Sequence, residues 1–343
     1  MLREAVCTAP HTIEWRDYDI PKLAPRDVRI EAQFGAAKHG TELSRFKGGT
    51  AFRGKMDPNL SVFDHNKDSV SEPMRIGNMV VGRIIELGAE VRKFSIDDRV
   101  LAYGGIKRVH TVPETRVWLL PKEVPWQSGV CLDPANFSLG AIRDGHIRIG
   151  DAVAFFGLGA ISLMGLQIAR LAGAHPIVAV DPLENRRKVA ENLGATHVLD
   201  PTRIDAGKEI KKICAKRGAD VVIEYSGKHS ALQDALRGVA FGGTVVCGAS
   251  PTPYEAGLDF GAEAHINRPN IIFSRACSDP SRDHPRWSEI RILETSHRFI
   301  VSGCITGVGI VSDPVPVENI MEGYLRMAEN PEFSIKLGYS FGP

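Results

Sequence analysis

The sequence has little that would fasten it to a membrane, a disulfide frame or a structural metal. Its six cysteines (Cys7, Cys131, Cys214, Cys247, Cys277 and Cys304) are scattered and form no C-x-x-C pair, so neither a disulfide scaffold nor a zinc knuckle is expected. No apolar run approaches the ~18 residues that a membrane span needs. The N-terminal stretch MLREAVCTAPHTIEW holds no apolar core of signal-peptide length. A net charge of +1 gives no reason to expect nucleic acid or an acidic membrane as partner. Aromatic residues are only 7% of the chain, which argues against a site for a large macrocycle. What is present, 43% hydrophobic and 24% charged over 343 residues, is globular and long enough for two domains. A cytoplasmic enzyme with a small-molecule partner is the expectation.

The chain changes character part-way along. Short β-type runs such as REAVCTA, DVRIEAQFGAA, NMVVGRIIELG, DRVLAYGG and RVHTVP fill the first part, punctuated by Pro, Gly and Asp at turn spacing. Residues 50–73 interrupt them with a polar, turn-rich loop of the length that usually carries function or mobility. From Asp151, short apolar strands (DAVAFF, PIVAVD, HVLD, ADVVIEY, GGTVVCGA) alternate with helical segments such as LENRRKVAENLGA and IDAGKEIKKICAKRGA. That alternation predicts an α/β, doubly wound parallel sheet covered on both faces. The domain reading is 1–128 β-rich, 129–274 dinucleotide-binding and 275–343 returning to the first.

The most specific chemistry lies in AVAFFGLGAISLMGLQIARLAGAHPIVAVD. A buried strand runs into Gly157-Leu158-Gly159, a helix opens at Ala160-Ile161, and a second strand ends at Asp181. Glycines allow the tight turn and let the backbone approach a pyrophosphate lying on the helix N-terminus. The acid is placed to accept hydrogen bonds from ribose hydroxyls, and it would repel a 2′-phosphate, which selects NAD over NADP. Ser162 stands at the third glycine position, whose task is close helix–strand packing. Arg186 and the adjacent Arg187 either meet a cofactor phosphate or lie on a solvated helix face.

With these residues on the page, the whole chain resembles the medium-chain dehydrogenase/reductase superfamily of alcohol and polyol dehydrogenases. The resemblance is carried by GDAVAFFGLGAISLMGLQIARLAGA, LENRRKVAENLGATHVLD, GADVVIEYSG, FGGTVVCGA and IGNMVVGRIIELGAEVRKFSIDDRVLAYG. It implies a Rossmann domain beside a β-rich, chaperonin-10 (GroES)-like catalytic domain, and hydride transfer to a nicotinamide. It also implies that Ser226 and Gly248-Ala249 border the dinucleotide. In this fold the last strand of the dinucleotide sheet pairs with its twin, and PNIIFSRAC is apolar enough to do so, so a homodimer is expected, with a tetramer as alternative.

Zinc-bearing members of that superfamily have Gly-His-Glu where this chain has Gly77-Asn78-Met79, and the first family ligand falls at His39. Asn is a poor zinc ligand, and a thioether suits softer ions. The four-cysteine structural lobe is absent as well. A zinc-independent member follows, and a side chain must then take the hydroxyl proton that zinc would otherwise acidify. The segment KHGTE supplies Lys38 as a cation or base, His39 as a base with a resting pKa near ~6.5, and Thr41 as the proton-relaying hydroxyl. Glu42 reads as a supporting carboxylate. Asp133, in VCLDPANFS at the family's later ligand position, is a further catalytic candidate beside Asn136. Asn78, Asn136 and the loop residues Asp64 and His65 are candidates for binding a hydroxyl-rich substrate, and SDPSRDHPRW, at 278–287, is similarly polar. Structural roles compete for each: a hydrogen-bonded histidine, a turn-satisfying threonine, an aspartate opening a helix.

The leading reading is an NAD-linked dehydrogenase of a sugar, cyclitol or related polyol. A quinone- or enone-reductase-like member and a bacteriochlorophyllide-type alcohol dehydrogenase, the latter suggested by the GTE segment, are alternatives. The non-enzyme alternative is an NAD-binding protein without turnover.

Overall fold

A computed structural model describes residues 2–49, 55–64, 73–251, 253–254, 256–275 and 283–342, with residues 55 and 64 described by their backbone alone. The chain divides into two compact units, Met1–Val130 with Val311–Pro343, and Cys131–Ile310. The return to the first unit is therefore made at Val311. Residues 283–310, read from sequence as part of that return, lie with the second unit instead, and their helix Glu289–Val301 packs on the helix Leu132–Asp144.

The first unit is built on the long strand Asp27–Ala36. Its alternating burial puts Val28, Ile30 and Ala32 into the core. It pairs antiparallel with Met79–Leu87, Val109–Pro113 and Gly338–Ser340, so the C-terminal strand is stitched into the N-terminal sheet. The core gathers Ile30, Val80, Ile84 and Phe46 with Met327, Tyr324 and Tyr339 from the returning segment. One short helix, His39–Phe46, leaves directly after the long strand.

The second unit is a six-stranded parallel sheet of β1 (Val153–Phe156), β2 (Ile177–Val180), β3 (His197–Leu199), β4 (Ala219–Glu224), β5 (Val239–Cys247) and β6 (Asn270–Phe273). The order across the sheet is β3-β2-β1-β4-β5-β6. β1 and β2 are buried along their whole length, as strands covered on both faces must be. This is the doubly wound arrangement in which ligands bind outside the carboxyl ends of the strands, where the order reverses between β1 and β4.

Candidate active site

At that reversal the turn after β1 has the geometry a pyrophosphate requires. Gly157 sits at φ +79°, and a Cβ there would lie 2.7 Å from the Ser226 backbone, so only glycine lets the two carboxyl-end turns approach. At Gly159 a side chain would meet open space, and no side chain caps the helix Ala160–Leu171 that starts there. Its first N–H groups are thus left for a ligand, as an anion-binding helix terminus needs. The close packing expected at the third glycine position falls on Gly165, where a Cβ would come within 3.1 Å of Phe155 and 3.4 Å of Ser138. Ser162 itself is fully buried.

Asp181, 3% exposed, follows β2 and ties the crossover together. Its Oδ2 accepts the Leu158 N–H at 2.7 Å and its Oδ1 the Leu183 N–H at 2.9 Å, while Arg186 stands 3.6 Å from Oδ2. A carboxylate has about four acceptor sites, so one remains for a ribose hydroxyl. Arg186 and Arg187 do not lie on a solvated face. Arg187 donates to the Asp181 carbonyl at 2.6 Å and pairs with Asp200 at 3.3 Å, and both guanidinium groups are largely buried.

The turns after β4 and β5 are joined by Glu224. Its Oε1 accepts the N–H of Ser226 at 2.6 Å and of Gly227 at 2.9 Å, and its carbonyl accepts the Gly248 N–H at 2.9 Å. Burial pushes this carboxyl up, against the lowering effect of the Ser226 and Gly227 hydrogen bonds. Ser226, Gly248 and Ala249 are thereby held together at the carboxyl end of the sheet. A dinucleotide fits these residues. The same unit carries Asp133 and Asn136 one turn apart near the start of Leu132–Asp144; both are buried, and Asn136 Oδ1 has no hydrogen-bond partner among the described residues.

In the first unit, KHGTE forms the opening turn of the helix His39–Phe46 with Lys38 as its N-cap. Thr41 is exposed, while Lys38 and His39 are half-buried. Glu42 points the other way, into the core at 3% exposure. Its Oε1 accepts the Gly77 N–H at 3.0 Å and its Oε2 accepts the Tyr324 hydroxyl. Lys336, 2% exposed, donates to the Ala37 carbonyl at 2.7 Å, and its charge acts on Glu42. Burial raises the Glu42 carboxyl most; the Tyr324 hydrogen bond and the Lys336 charge oppose that rise. Burial also raises the Tyr324 phenol, and the adjacent carboxylate adds to it. Tyr324 and Lys336 carry no local motif, so nothing near them in sequence marks them as partners of the His39 helix.

Gly77 is at φ +96°, and a Cβ there would meet the Ile106 backbone nitrogen at 2.7 Å. Asn78, buried, donates its N–H to the Ala36 carbonyl and accepts the Gly104 N–H, each at 3.0 Å. Met79 is closed in the core as the first residue of its strand. A buried amide and a core thioether at the family's ligand positions do not fit zinc. No group of three or more His, Cys, Asp or Glu side chains gathers as a metal site among the described residues. Asp64 ends the short strand Val62–Asp64, but its side chain, His65 and residues 278–282 of the polar segment lie outside the described residues.

The family model described as zinc-binding dehydrogenase matches residues 160–283. That stretch begins with the helix after the glycine turn, covers the rest of the parallel sheet beyond β1, and includes none of positions 39, 78 and 79. The chain is 37% identical to D-guloside 3-dehydrogenase of Escherichia coli (strain K12) over 350 aligned residues, covering 99% of this chain and 100% of that one. Among solved structures, 2R,3R-butanediol dehydrogenase from Bacillus subtilis superposes with a TM-score of 0.78 at 20% identity, over 99% of each chain. A proposed zinc-binding dehydrogenase from Sinorhizobium meliloti 1021, bound to NADP, does so at 0.76 and 20%, again over 99% of each. No described helix is long and apolar enough to cross a membrane. With the fold, the dinucleotide cradle and a relative matched end to end, the chain belongs to the medium-chain dehydrogenase/reductase superfamily and is an alcohol-acting, pyridine-nucleotide-linked oxidoreductase.

Proposed function

We propose that the protein is an NAD-dependent, zinc-independent dehydrogenase that interconverts a secondary alcohol and a ketone on a sugar, glycoside or cyclitol. The end-to-end likeness to D-guloside 3-dehydrogenase carries the substrate class. Asp181 carries the choice of NAD, because a 2′-phosphate would meet a buried carboxylate only partly balanced by Arg186. Met79 in the core and Asn78 beside it carry the metal-free reading.

Held by the Gly157–Gly159 turn and Ser226, a nicotinamide dinucleotide would supply the hydride acceptor for the carbinol carbon. His39 takes the hydroxyl proton, with exposed Thr41 passing it along and Lys38 supplying positive charge to the developing oxyanion. Glu42 does not react; tied to Gly77 and Tyr324, it holds the opening turn of the helix in one orientation. Asp133 and Asn136 present carboxylate and amide oxygens to substrate hydroxyls, and the unpartnered Asn136 Oδ1 is an acceptor available for one. Asn78 adds a polar group of the kind a polyol needs and an apolar ketone does not. Gly157 to Ile161, Ser226, Gly248 and Ala249 seat the dinucleotide, with Arg186 steadying Asp181. The protein works in the cytoplasm as a homodimer.

Steady-state reduction of NAD and NADP with a panel of hexosides, cyclitols and simple alcohols tests this reading. We expect kcat/KM to favour a ring hydroxyl over simple alcohols, and NAD over NADP by at least about tenfold, or about 1.4 kcal/mol. A preference for NADPH with quinones or enones would replace it with the reductase reading.

A further inference from the structure

Away from the strand ends that seat the dinucleotide, the second unit holds a cavity of about 420 Å³. Leu132–Asp144 and Ala160–Leu171 run antiparallel to β1, so their last turns lie at the amino ends of the strands, and the cavity is lined from those turns and from Glu289–Val301. Its charge is one-sided. Among the described residues, Arg143, Arg148, Arg286, Arg298 and His146 line it, against the single carboxylate of Asp283.

That carboxylate is already committed, paired with Arg143 at 2.6 Å and with Arg286 at 3.6 Å. Arg143 is also fixed from the side: its guanidinium lies 3.7 Å from the centre of the Trp287 ring, and its Nε is buried without a hydrogen-bond partner among the described residues. A cation braced by an ion pair and an indole face loses little freedom when a further anion arrives. Arg148, Arg286 and Arg298 are exposed and able to close over such a ligand. The remaining wall, including Leu139, Ile142, Ile168, Leu171 and Phe299, is apolar, so an inorganic anion alone would leave that surface in water.

We propose that this cavity binds a small phosphate monoester with an apolar body, distinct from the dinucleotide. The volume is in the range of ligand pockets, and an excess of guanidinium groups matches a dianion with several acceptor oxygens. Nothing in the hydride chemistry uses these residues, so occupancy is separate from catalysis.

Isothermal titration of the full chain with phenyl phosphate, in saturating NADH so that the dinucleotide site is filled, tests the proposal. Saturable binding is expected, with phenol and inorganic phosphate each weaker by at least about tenfold, since either the charge or the apolar contact is then missing. The double variant Arg286→Gln, Arg298→Gln, altering only exposed side chains, should weaken phenyl phosphate by at least about tenfold. Binding that NADH abolishes, that the double variant leaves unchanged, or that fails to saturate at millimolar ligand would overturn it.

Discussion

Buried polar side chains, not the exposed ones, set the character of this protein at the residue scale. Glu42 is the clearest case, because three groups converge on or near one carboxylate: the Gly77 N–H, the Tyr324 hydroxyl and the Lys336 charge. Glu42→Ala would leave a half-buried N–H and a buried phenol unpaired, so we expect a loss of about 3 kcal/mol in urea unfolding. Glu42→Gln, which keeps the shape and one acceptor, should recover most of that stability yet lower kcat by about tenfold if the helix turn must be held in register. Equal kcat in Glu42→Gln and the parent would mean that the cluster serves folding alone. The KHGTE segment can be picked out from sequence because the family keeps its ligand and relay there. Its anchors cannot: Tyr324 is 282 positions from Glu42, and no periodicity links residues that far apart.

His110 behaves as a second buried group, with a pH signature. Burial, helped by the Lys107 charge, pushes it down to about 4 from an ordinary 6.5. The unfolded chain therefore takes up a proton below about 6.5 while the folded chain holds off until about 4. Stability is full above that window and falls as pH drops through it, by about 3 kcal/mol. Unfolding midpoints at pH 7.5 and 4.5 should differ less in His110→Gln than in the parent. Parallel pH dependence in the two would remove His110 as the cause.

Among the elements, the strand at the sheet edge makes the sharpest prediction. In β6, Phe273 is 81% exposed and Ile271 42%, an open apolar edge that a monomer would leave in water. On the proposed homodimer, Phe273→Asp should lower the mass in light scattering from two chains to one without unfolding β1 to β5, whereas a parent that already runs as one chain, or an unchanged mass in the variant, would contradict a dimer formed through β6. The strands and helices of the second unit are readable in sequence because buried strands and intervening helices differ in period. Two elements are not. The helix His39–Phe46 is only 8 residues long and has no capping side chain, so its residues carry a chemical signal but no structural one. The helix Glu289–Val301 is recognisable as a helix, but an apolar stripe does not say which unit it covers, so sequence places the return at 275 whereas it occurs at Val311.

For the whole molecule, the sequence already carries the superfamily, because glycine turn, helix, strand and acid occur in register and D-guloside 3-dehydrogenase matches along the full length. The metal question is raised by Asn78 and Met79, and the structure adds that Met79 is core and that a carboxylate, a phenol and a lysine gather behind the helix bearing His39. The most direct test of a metal-free dehydrogenase is NADH formation from NAD and a hexoside, measured on the untreated protein, after exhaustive treatment with a strong chelator, and again after zinc is restored. The same rate is expected in all three states, with zinc in the untreated protein well below one per chain by elemental analysis. Activity that disappears with the chelator and returns with zinc would contradict it.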